Sequence, residues 1–274
     1  LLERLAEHRL LINDLRQQTW RFAHSLVVEI LLLQAKEKGH LEELHSAAAD
    51  MLLSRSPTPH RRLGRHCFAA QRYQEASEHL LIGAQESKRA HRNERSWALI
   101  AKQTRCLERM NIAPTEPEWA ANWLLKGHIR HSQTRITAAK KFYNRAIDVA
   151  DSSDSGRSTA AEALRLLGHI ARNEGNTERA LRIFLKGLNL APDNSTAQVR
   201  LMGSIGYLKA AQGEFDAAFS YFDKSVAGAK RIGDDALYVS IDLQRTAILQ
   251  LVGRFSEAKT DLLDIRQICL DGGR

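Results

Sequence analysis

The chain has 274 residues, a net charge of +8, five prolines and few aromatic residues, and this composition is typical of an all-helical protein. No apolar run reaches the roughly 18–20 residues that a membrane-spanning helix requires. The three cysteines, Cys67, Cys106 and Cys269, are odd in number and far apart, which excludes a disulfide framework and a CxxC metal site. A reducing cytoplasm is the expected location.

The positive charge is unevenly distributed along the chain. The stretch 54–110 holds twelve Lys and Arg against five Asp and Glu, whereas 1–53 holds six against eight. A regional excess of this kind favours a localised contact with an acidic partner over general binding to anions.

Residues 1–53 form a predicted N-terminal module. Apolar spacing predicts a helix in LLERLAEHRLLI, and QQTWRF, residues 17–22, is a short β-compatible segment. AHSLVVEILLLQ and GHLEELHSAAADMLL predict two further helices. The chain begins at Leu1 with no initiator Met and no signal pattern, so we expect it to be a fragment of a longer protein.

Residues 54–114 form the second predicted segment, a divergent helix pair followed by one further helix. The pair contains Leu63, Gly64, Cys67, Tyr73, Ala76, Leu80 and Gly83, with Gln71 in the intervening turn. The helix 93–110 is amphipathic, and no partner helix is identifiable for it. The segment NIAPTEPE, with a possible capping box of Thr115 and Glu118, marks the boundary with the third segment, 115–274.

The best-formed unit of the chain is 161–194. Small residues at 168, 180 and 187 allow two helices to approach closely, and bulky apolar residues at 164, 167 and 184 fill the space between them. Gly175 suits the turn between the helices, Thr177 can cap the second helix, and a capping box of Thr159 and Glu162 is expected to start the first. Ser195 with Gln198 predicts the start of the next unit.

That spacing resembles the tetratricopeptide (TPR) repeat. Comparable patterns recur around Gly127, Gly206 and Ala258, and the turn positions 134, 175, 213 and 253 are about 40 residues apart. Such long units are similar to the TPR variants of kinesin light chains and of large bacterial regulators. The resemblance implies an all-α, TPR-like α-solenoid, a right-handed superhelix of antiparallel helix pairs, preceded by a helical, winged-helix-like remnant.

The N-terminal module resembles the segment that joins the nucleotide-binding domain to the TPRs in large bacterial signalling ATPases. These include kinase-linked, cyclase-linked and LuxR-type proteins. The residues that carry this resemblance are Phe22, His24, Leu26, Glu29, Leu44, His45 and Ala49. It implies a regulatory region whose ATPase or kinase domain lies outside this chain.

The sequence contains none of the motifs GxxxxGK[ST], GxGxxG, HExxH or GxSxG, so we expect a non-catalytic protein without a cofactor. His128, His131 and His169 are the imidazoles most able to converge, but no spacing motif requires a metal there. We therefore assign them to a polar groove lining.

The family resemblance implies that the first helix of each repeat lines a concave groove. The predicted partner-binding residues are Arg61, Arg65, Phe68, Leu124, His128, His131, Arg165, His169, Arg172, Asn173, Arg200 and Tyr207. Because arginine binds carboxylates in a bidentate manner, the predicted ligand is a protein or an acidic peptide. The alternative that these arginines are merely solvated stays open.

The leading hypothesis is therefore a cytoplasmic scaffold or sensor from a bacterial signal-transduction protein, acting through protein–protein interaction. The alternative function is nucleic-acid binding through the basic region 54–110, at RRLGR and KRAHRNER. Self-association through the C-terminal helix around IRQICL is a further expectation, since a solenoid without a polar cap exposes an apolar end.

Overall fold

A computed structural model describes residues 2–14 and 19–272 of the chain. This part contains fourteen α-helices, one two-stranded β-hairpin and one short 3₁₀ helix. From residue 25 onward the helices pack in chain order, each against the next, as expected for a solenoid. No described helix is both long and apolar enough to cross a bilayer.

The N-terminal module is a helix, a hairpin and two helices. The elements are α1 (Leu2–Glu7), β1 (Leu11–Asp14), β2 (Thr19–Phe22), α2 (Ser25–Glu37) and α3 (Leu41–Leu53). The strands are antiparallel, with Leu11 opposite Phe22. The prediction of one helix through Ile12 is wrong, because Arg9 adopts φ 57° and ends the helical turn before Leu11 starts the strand. The predicted β segment is confirmed for Thr19–Phe22, and Gln17 and Gln18 lie outside the described residues.

In the next three helices, the middle helix packs against both of the others. They are α4 (His60–Ala69), α5 (Tyr73–Arg89) and α6 (Asn93–Arg109). A Cβ added to Gly64 of α4 would lie 2.9 Å from Leu80 Cγ of α5, so these two helices touch closely, as predicted.

The other side of α5 packs against α6. Gln103 donates a hydrogen bond of 3.0 Å to Ser77 Oγ, and Ser96 Oγ donates one of 2.7 Å to the carbonyl of Ala84. Helix α6, for which the sequence shows no partner, therefore pairs with α5. Because of this pairing, α5 lies on the inner side of the solenoid.

The remaining chain forms four helix hairpins. Their helices are α7 (Ala120–Ser132), α8 (Ile136–Val149), α9 (Asp154–Asn173), α10 (Thr177–Leu190), α11 (Thr196–Ala211), α12 (Phe215–Ile232), α13 (Asp235–Leu251) and α14 (Phe255–Gly272). Helices α5, α7, α9, α11 and α13 contact one another in succession and line one side of the solenoid. The other helix of each hairpin forms the outer layer.

Glycines at the predicted positions allow the two helices of a hairpin to approach closely. A Cβ on Gly127 would lie 2.5 Å from the Tyr143 ring, and one on Gly168 would lie 2.4 Å from the Phe184 ring. Both aromatic side chains are fully buried, and each ring occupies the space that a side chain at the glycine would need. These contacts explain why the repeat requires a small residue there.

Lys126 occupies a position where the repeat normally has an apolar residue. The residue is only 8% exposed, and its ammonium lies 4.5 Å from the Trp123 ring centroid and 5.7 Å from that of Trp119. Burial lowers the pKa of Lys126 to about 8. The aliphatic stem packs like an apolar side chain, while the two indoles stabilise the charge through cation–π contacts.

Left-handed backbone marks the turns between helices, including those without glycine. Gly175, Gly213 and Gly253 have φ between 78° and 81°, and Gln71 and Thr134 adopt φ 59° and 60° in equivalent turns. The predicted turn positions are therefore confirmed. A β-branched residue such as Thr134 is strained in this conformation, because its Cβ crowds the following carbonyl.

We expect Thr134→Gly to raise the free energy of unfolding by about 0.5–1 kcal/mol, because relief of left-handed strain outweighs the added freedom of the unfolded chain. Chemical denaturation measures the change. Thr134→Ala is the matched control, since alanine keeps the Cβ, and it should change stability little. Equal stabilisation by both substitutions would contradict this explanation.

Helix starts differ from the predicted caps in three places. Thr115 and Glu118 form no capping box, since a 3₁₀ helix (Pro117–Trp119) precedes α7. Thr159 lies inside α9, which begins after the cap Ser153, and its hydroxyl donates to the carbonyl of Ser155 instead. Asn176, not Thr177, caps α10.

The cap at Ser195 is confirmed. Its hydroxyl oxygen accepts a hydrogen bond of 3.1 Å from the amide of Gln198.

Candidate binding groove

The inner side of the solenoid contains two adjoining cavities, of about 670 Å³ and 380 Å³. We call the surface formed by α5, α7, α9, α11 and α13 around them the groove. Arg89 and Arg200 line both cavities and therefore mark their junction. The smaller cavity has an apolar wall of Ala121, Leu124 and Leu125. The larger one is mostly polar and includes His169, Ser204, Ser240 and Gln244.

A largely buried ion pair forms the floor of the groove on α9. The Nε and Nη2 atoms of Arg165 donate to the two carboxylate oxygens of Glu162, each over 2.8 Å. The side chains are 17% and 12% exposed. Burial alone would raise the pKa of Glu162, but the hydrogen bonds and charge of Arg165, aided by Arg200, hold that pKa below its ordinary value.

The remaining guanidinium nitrogen of Arg165, Nη1, links this ion pair to a histidine that contacts α11. Its Nη1 donates to His169 Nε2 over 2.9 Å, and Ser204 Oγ of α11 lies 3.1 Å from the same nitrogen. Ser204 Oγ also lies 2.9 Å from the carbonyl of Arg200 and donates to it. The bond from Arg165 fixes the orientation of the His169 ring, and the ring lies against Ser204, so that α9 contacts α11 here.

The imidazoles of the groove are neutral at physiological pH. Burial, followed by the charges of Arg165 and Arg172, lowers the pKa of His169 to about 3. Burial also lowers the pKa of His128 to about 4, against an opposing effect of Glu162. A Ser204–His169 pair with this pKa, and with Arg165 bound at Nε2, is not set up as a nucleophile and general base.

The available positive charge belongs to residues other than Arg165. No carboxylate among the described residues forms an ion pair with Arg89 or Lys88, and Arg200 lies 3.6 Å from a Glu162 oxygen that Arg165 already binds. The acidic side chains of the lining are Glu162, which Arg165 neutralises, and Asp234, which accepts a hydrogen bond from the amide of Leu237. The junction of the two cavities is therefore positively charged.

The structure brings five of the predicted partner-binding residues into the groove cavities. They are Leu124, His128, Arg165, His169 and Arg200. Three others lie farther along α9 and α11, where the Arg172 guanidinium is 5.1 Å from the Tyr207 ring centroid and 3.3 Å from Asn173 Oδ1. His131 lies at the end of α7, where its Nδ1 is 3.3 Å from the Tyr143 hydroxyl.

The three predicted residues of α4, Arg61, Arg65 and Phe68, lie outside these cavities because α4 is not a groove helix. The backbone of Arg61 packs against Gly83 of α5. Arg65 lines a different cavity, together with Phe68. The one-helix shift has a physical origin, since α5 makes close contacts with both α4 and α6.

Gln85, Lys88 and Arg89 of α5 line the groove, although the sequence did not place them there. The predicted repeat makes α4 the groove helix and α5 the outer helix, so these three side chains were expected to point away from the groove. The basic run KRAHRNER was the available signal, but the sequence alone does not show on which side of the solenoid its first residues lie.

No group of three or more His, Cys, Asp or Glu side chains within the described ranges is placed to hold a metal ion. The rings of His128, His131 and His169 pack against aromatic side chains. Their centroids lie 5.1–6.2 Å from those of Tyr143 or Phe184.

The tetratricopeptide repeat family model matches the chain at residues 120–152 and 161–194. The structure is similar to the crystal structure of BtubC (BKLC) from P. vanneervenii, with a TM-score of 0.57, 16% identity, and coverage of 85% of this chain and 92% of that one. It also matches the apo form of the quorum sensor NprR from B. thuringiensis, with a TM-score of 0.46, 13% identity, and coverage of 89% and 86%. Comparison with curated protein sequences gives no significant match.

The chain therefore contains TPR repeats, and its all-helical solenoid fold is confirmed. The likeness to BtubC, at 16% identity, concerns the fold alone. Helical repeats of this kind are generally scaffolds that bind proteins or peptides.

Proposed function

We propose that the groove binds a peptide segment of a partner protein through an acidic group held between Arg89 and Arg200. The observation that carries this proposal is the position of these two arginines at the junction of the cavities. Arginine forms paired, charge-assisted hydrogen bonds with a carboxylate. The apolar wall at Leu124 and Leu125 accommodates an aliphatic or aromatic side chain next to the acidic one.

Arg165 has a different role in this proposal from the one its position in the repeat predicts. Glu162 occupies the guanidinium edge that would otherwise bind a ligand carboxylate. We infer that Arg165 positions His169 and neutralises Glu162, so that the ligand meets a net positive surface. The direct contacts then belong to Arg89, Arg200 and Lys88.

Charge reversal tests the proposal. A library of short peptides with a fixed Asp or Glu should be enriched on the protein over the same library with Asn or Gln. Each charge-assisted hydrogen bond contributes about 1.5–3 kcal/mol. Arg89→Glu combined with Arg200→Glu should therefore raise the Kd of the selected peptide by about tenfold to a hundredfold or more.

The matched control is Arg179→Glu with Arg182→Glu, two exposed positions on the outer helix α10. These changes alter the net charge equally and should leave the affinity within about twofold. If both double variants bind equally weakly, the effect is general electrostatics. Unchanged affinity of the groove variant would refute the proposal.

The nucleic-acid alternative has less geometric support. The basic residues of 54–110 are divided among separate cavities. Lys88 and Arg89 line the groove, Arg92 and Arg95 lie at the start of α6, and Arg65 lines a third cavity together with Lys102. A nucleic acid requires a continuous track of phosphate contacts.

We also infer, from the sequence resemblance of the N-terminal module, that the chain is the regulatory region of a cytoplasmic bacterial signalling ATPase or regulator. Ligand binding in the groove would then shift the packing of the upstream domain. A GxxxxGK[ST] motif in the reading frame ahead of Leu1 is the expected finding. Self-association through α14, on which Leu263 and Leu270 are more than half exposed, stays a prediction.

A further inference from the structure

A second cluster of positive charge lies outside the groove, between α3, α4 and α6. It surrounds a cavity of about 360 Å³, which we call the α4 cavity. Its lining includes the side chains of His45, Arg62, Arg65, His66, Phe68 and Lys102. None of them is acidic, so the cavity combines three permanent cations and two imidazoles without a lining carboxylate.

The cations of the α4 cavity lack internal partners. Within residues 2–14 and 19–272, no carboxylate forms an ion pair with Arg62, Arg65 or Lys102. The Lys102 ammonium lies 5.0 Å from the centroid of the Phe68 ring. Neighbouring Arg72, by contrast, is bound by both Asp50 and Glu75. Acidic residues are thus present nearby, but they are directed to another arginine.

A hydrogen-bonded pair of histidines, His45 and His66, lies beside these cations. Their Nδ1 atoms lie 3.0 Å apart, so one ring donates and the other accepts, and this hydrogen bond breaks once both nitrogens carry protons. Burial, then the charges of His45, Arg62 and Arg65, lower the pKa of His66. The cavity thus repels a further proton and would gain stability from an anion.

We propose that the α4 cavity binds a phosphate monoester. A carboxylate carries one negative charge and would leave most of the cationic cluster uncompensated, whereas a phosphate monoester carries nearly two and offers three acceptor oxygens. Arg62 and Arg65, one helical turn apart on α4, match these oxygens with planar donor groups. Phe68 and Ala69 form an apolar wall for the organic part of the ligand.

Anion binding changes the state of the histidine pair. A phosphate favours the protonated form of a neighbouring imidazole, and both Nδ1–H groups are then free to donate to its oxygens instead of to each other. The contact between α3 and α4 would pass from an imidazole–imidazole bond to a shared ligand. Binding in the α4 cavity is therefore coupled to proton uptake and to the junction of the N-terminal module with the solenoid.

Titration of the histidine rings by ¹H–¹⁵N NMR, with inorganic phosphate as the first probe, tests this proposal. Phosphate should raise the pH at which His66 titrates by about one unit, whereas chloride at equal ionic strength should not. Arg62→Gln with Arg65→Gln, both at exposed positions, should abolish the shift. Lys102→Gln should reduce it and serves as an independent variant if the double one unfolds.

The matched control is Arg92→Gln with Arg95→Gln, which removes two exposed cations from the start of α6 and should preserve the shift. O-phosphoserine and a phosphoserine peptide then distinguish a small metabolite from a modified protein, according to which binds more tightly. An absent shift, a shift equal with chloride, or one that survives the Arg62 and Arg65 changes would overturn the proposal. Tighter binding of a single-stranded oligonucleotide than of phosphoserine would replace it with a nucleic-acid site.

Discussion

Glu162→Gln is expected to lower the free energy of unfolding by about 3–5 kcal/mol, because it leaves the Arg165 guanidinium buried without its counter-charge. The carboxylate accepts both of its short hydrogen bonds from Arg165 and has an exposed fraction of only 12%. Glutamine preserves the shape and one acceptor but loses the charge. Urea or guanidinium unfolding, followed by circular dichroism, measures the change.

Two controls separate the ion pair from other effects. Glu178→Gln, at an exposed position of α10, should change stability by less than about 0.5 kcal/mol. Glu162→Leu with Arg165→Met removes both charges and should recover most of the lost stability, since apolar pairs of similar volume often replace buried ion pairs without cost. A small effect of Glu162→Gln alone would mean that groove solvent already compensates the charge of Arg165.

Gly168→Ala is expected to destabilise the protein by about 1–3 kcal/mol through overpacking. Its Cβ would lie 2.4 Å from Phe184 Cε1, a distance that real contacts do not tolerate, so α9 and α10 must separate or the ring must leave its place. Phe184 is fully buried, and relocating it disturbs the core of the hairpin. A thermal or chemical unfolding curve reports the loss.

Gly203→Ala provides the matched comparison on α11. The Cβ that it adds would approach Ser225 Oγ to 3.4 Å, an ordinary contact. This change should stabilise the protein by about 0.5–1 kcal/mol, because alanine favours the helix interior over glycine. Similar effects of the two substitutions would show that helix propensity, not helix contact, governs these positions.

The fold follows from the sequence where a single physical requirement selects the residue. There is no space for a side chain at Gly127 and Gly168, and the turn at Gly175 requires a left-handed backbone conformation. The spacing of these glycines therefore identifies the hairpins. Thr134 and Gln71 adopt the same left-handed turn without glycine. Their turns were identified from neighbouring residues, because the local signal is absent.

The groove was harder to predict because it depends on which helix faces inward. The spacing of Gly64 and Leu80 correctly indicates a close pair of helices, but α5 also packs on α6 and thereby turns Arg89 toward the groove. Local spacing carries no information on that second contact. The pairing of Arg165 with Glu162 was likewise missed, although the two residues lie three apart on one helix and can therefore meet.

Helix starts were the least predictable elements. Thr159 with Glu162 fits the capping pattern, yet the true start lies at Ser153, in a stretch whose polar composition is typical of a loop. Ser, Thr and Asp compete for the same role, and the sequence does not show which of them leaves the helix.

The position of a bound acidic peptide on the protein shows whether the groove is the binding surface. A photoreactive group next to the acidic residue of a selected peptide reports this position once its cross-links are mapped by mass spectrometry. A peptide bound in the groove should form cross-links to the C-terminal end of α5 and to the faces of α11 and α13 around Arg200 and Ser240. Cross-links confined to the outer helices α8, α10 and α12 would contradict binding in the groove.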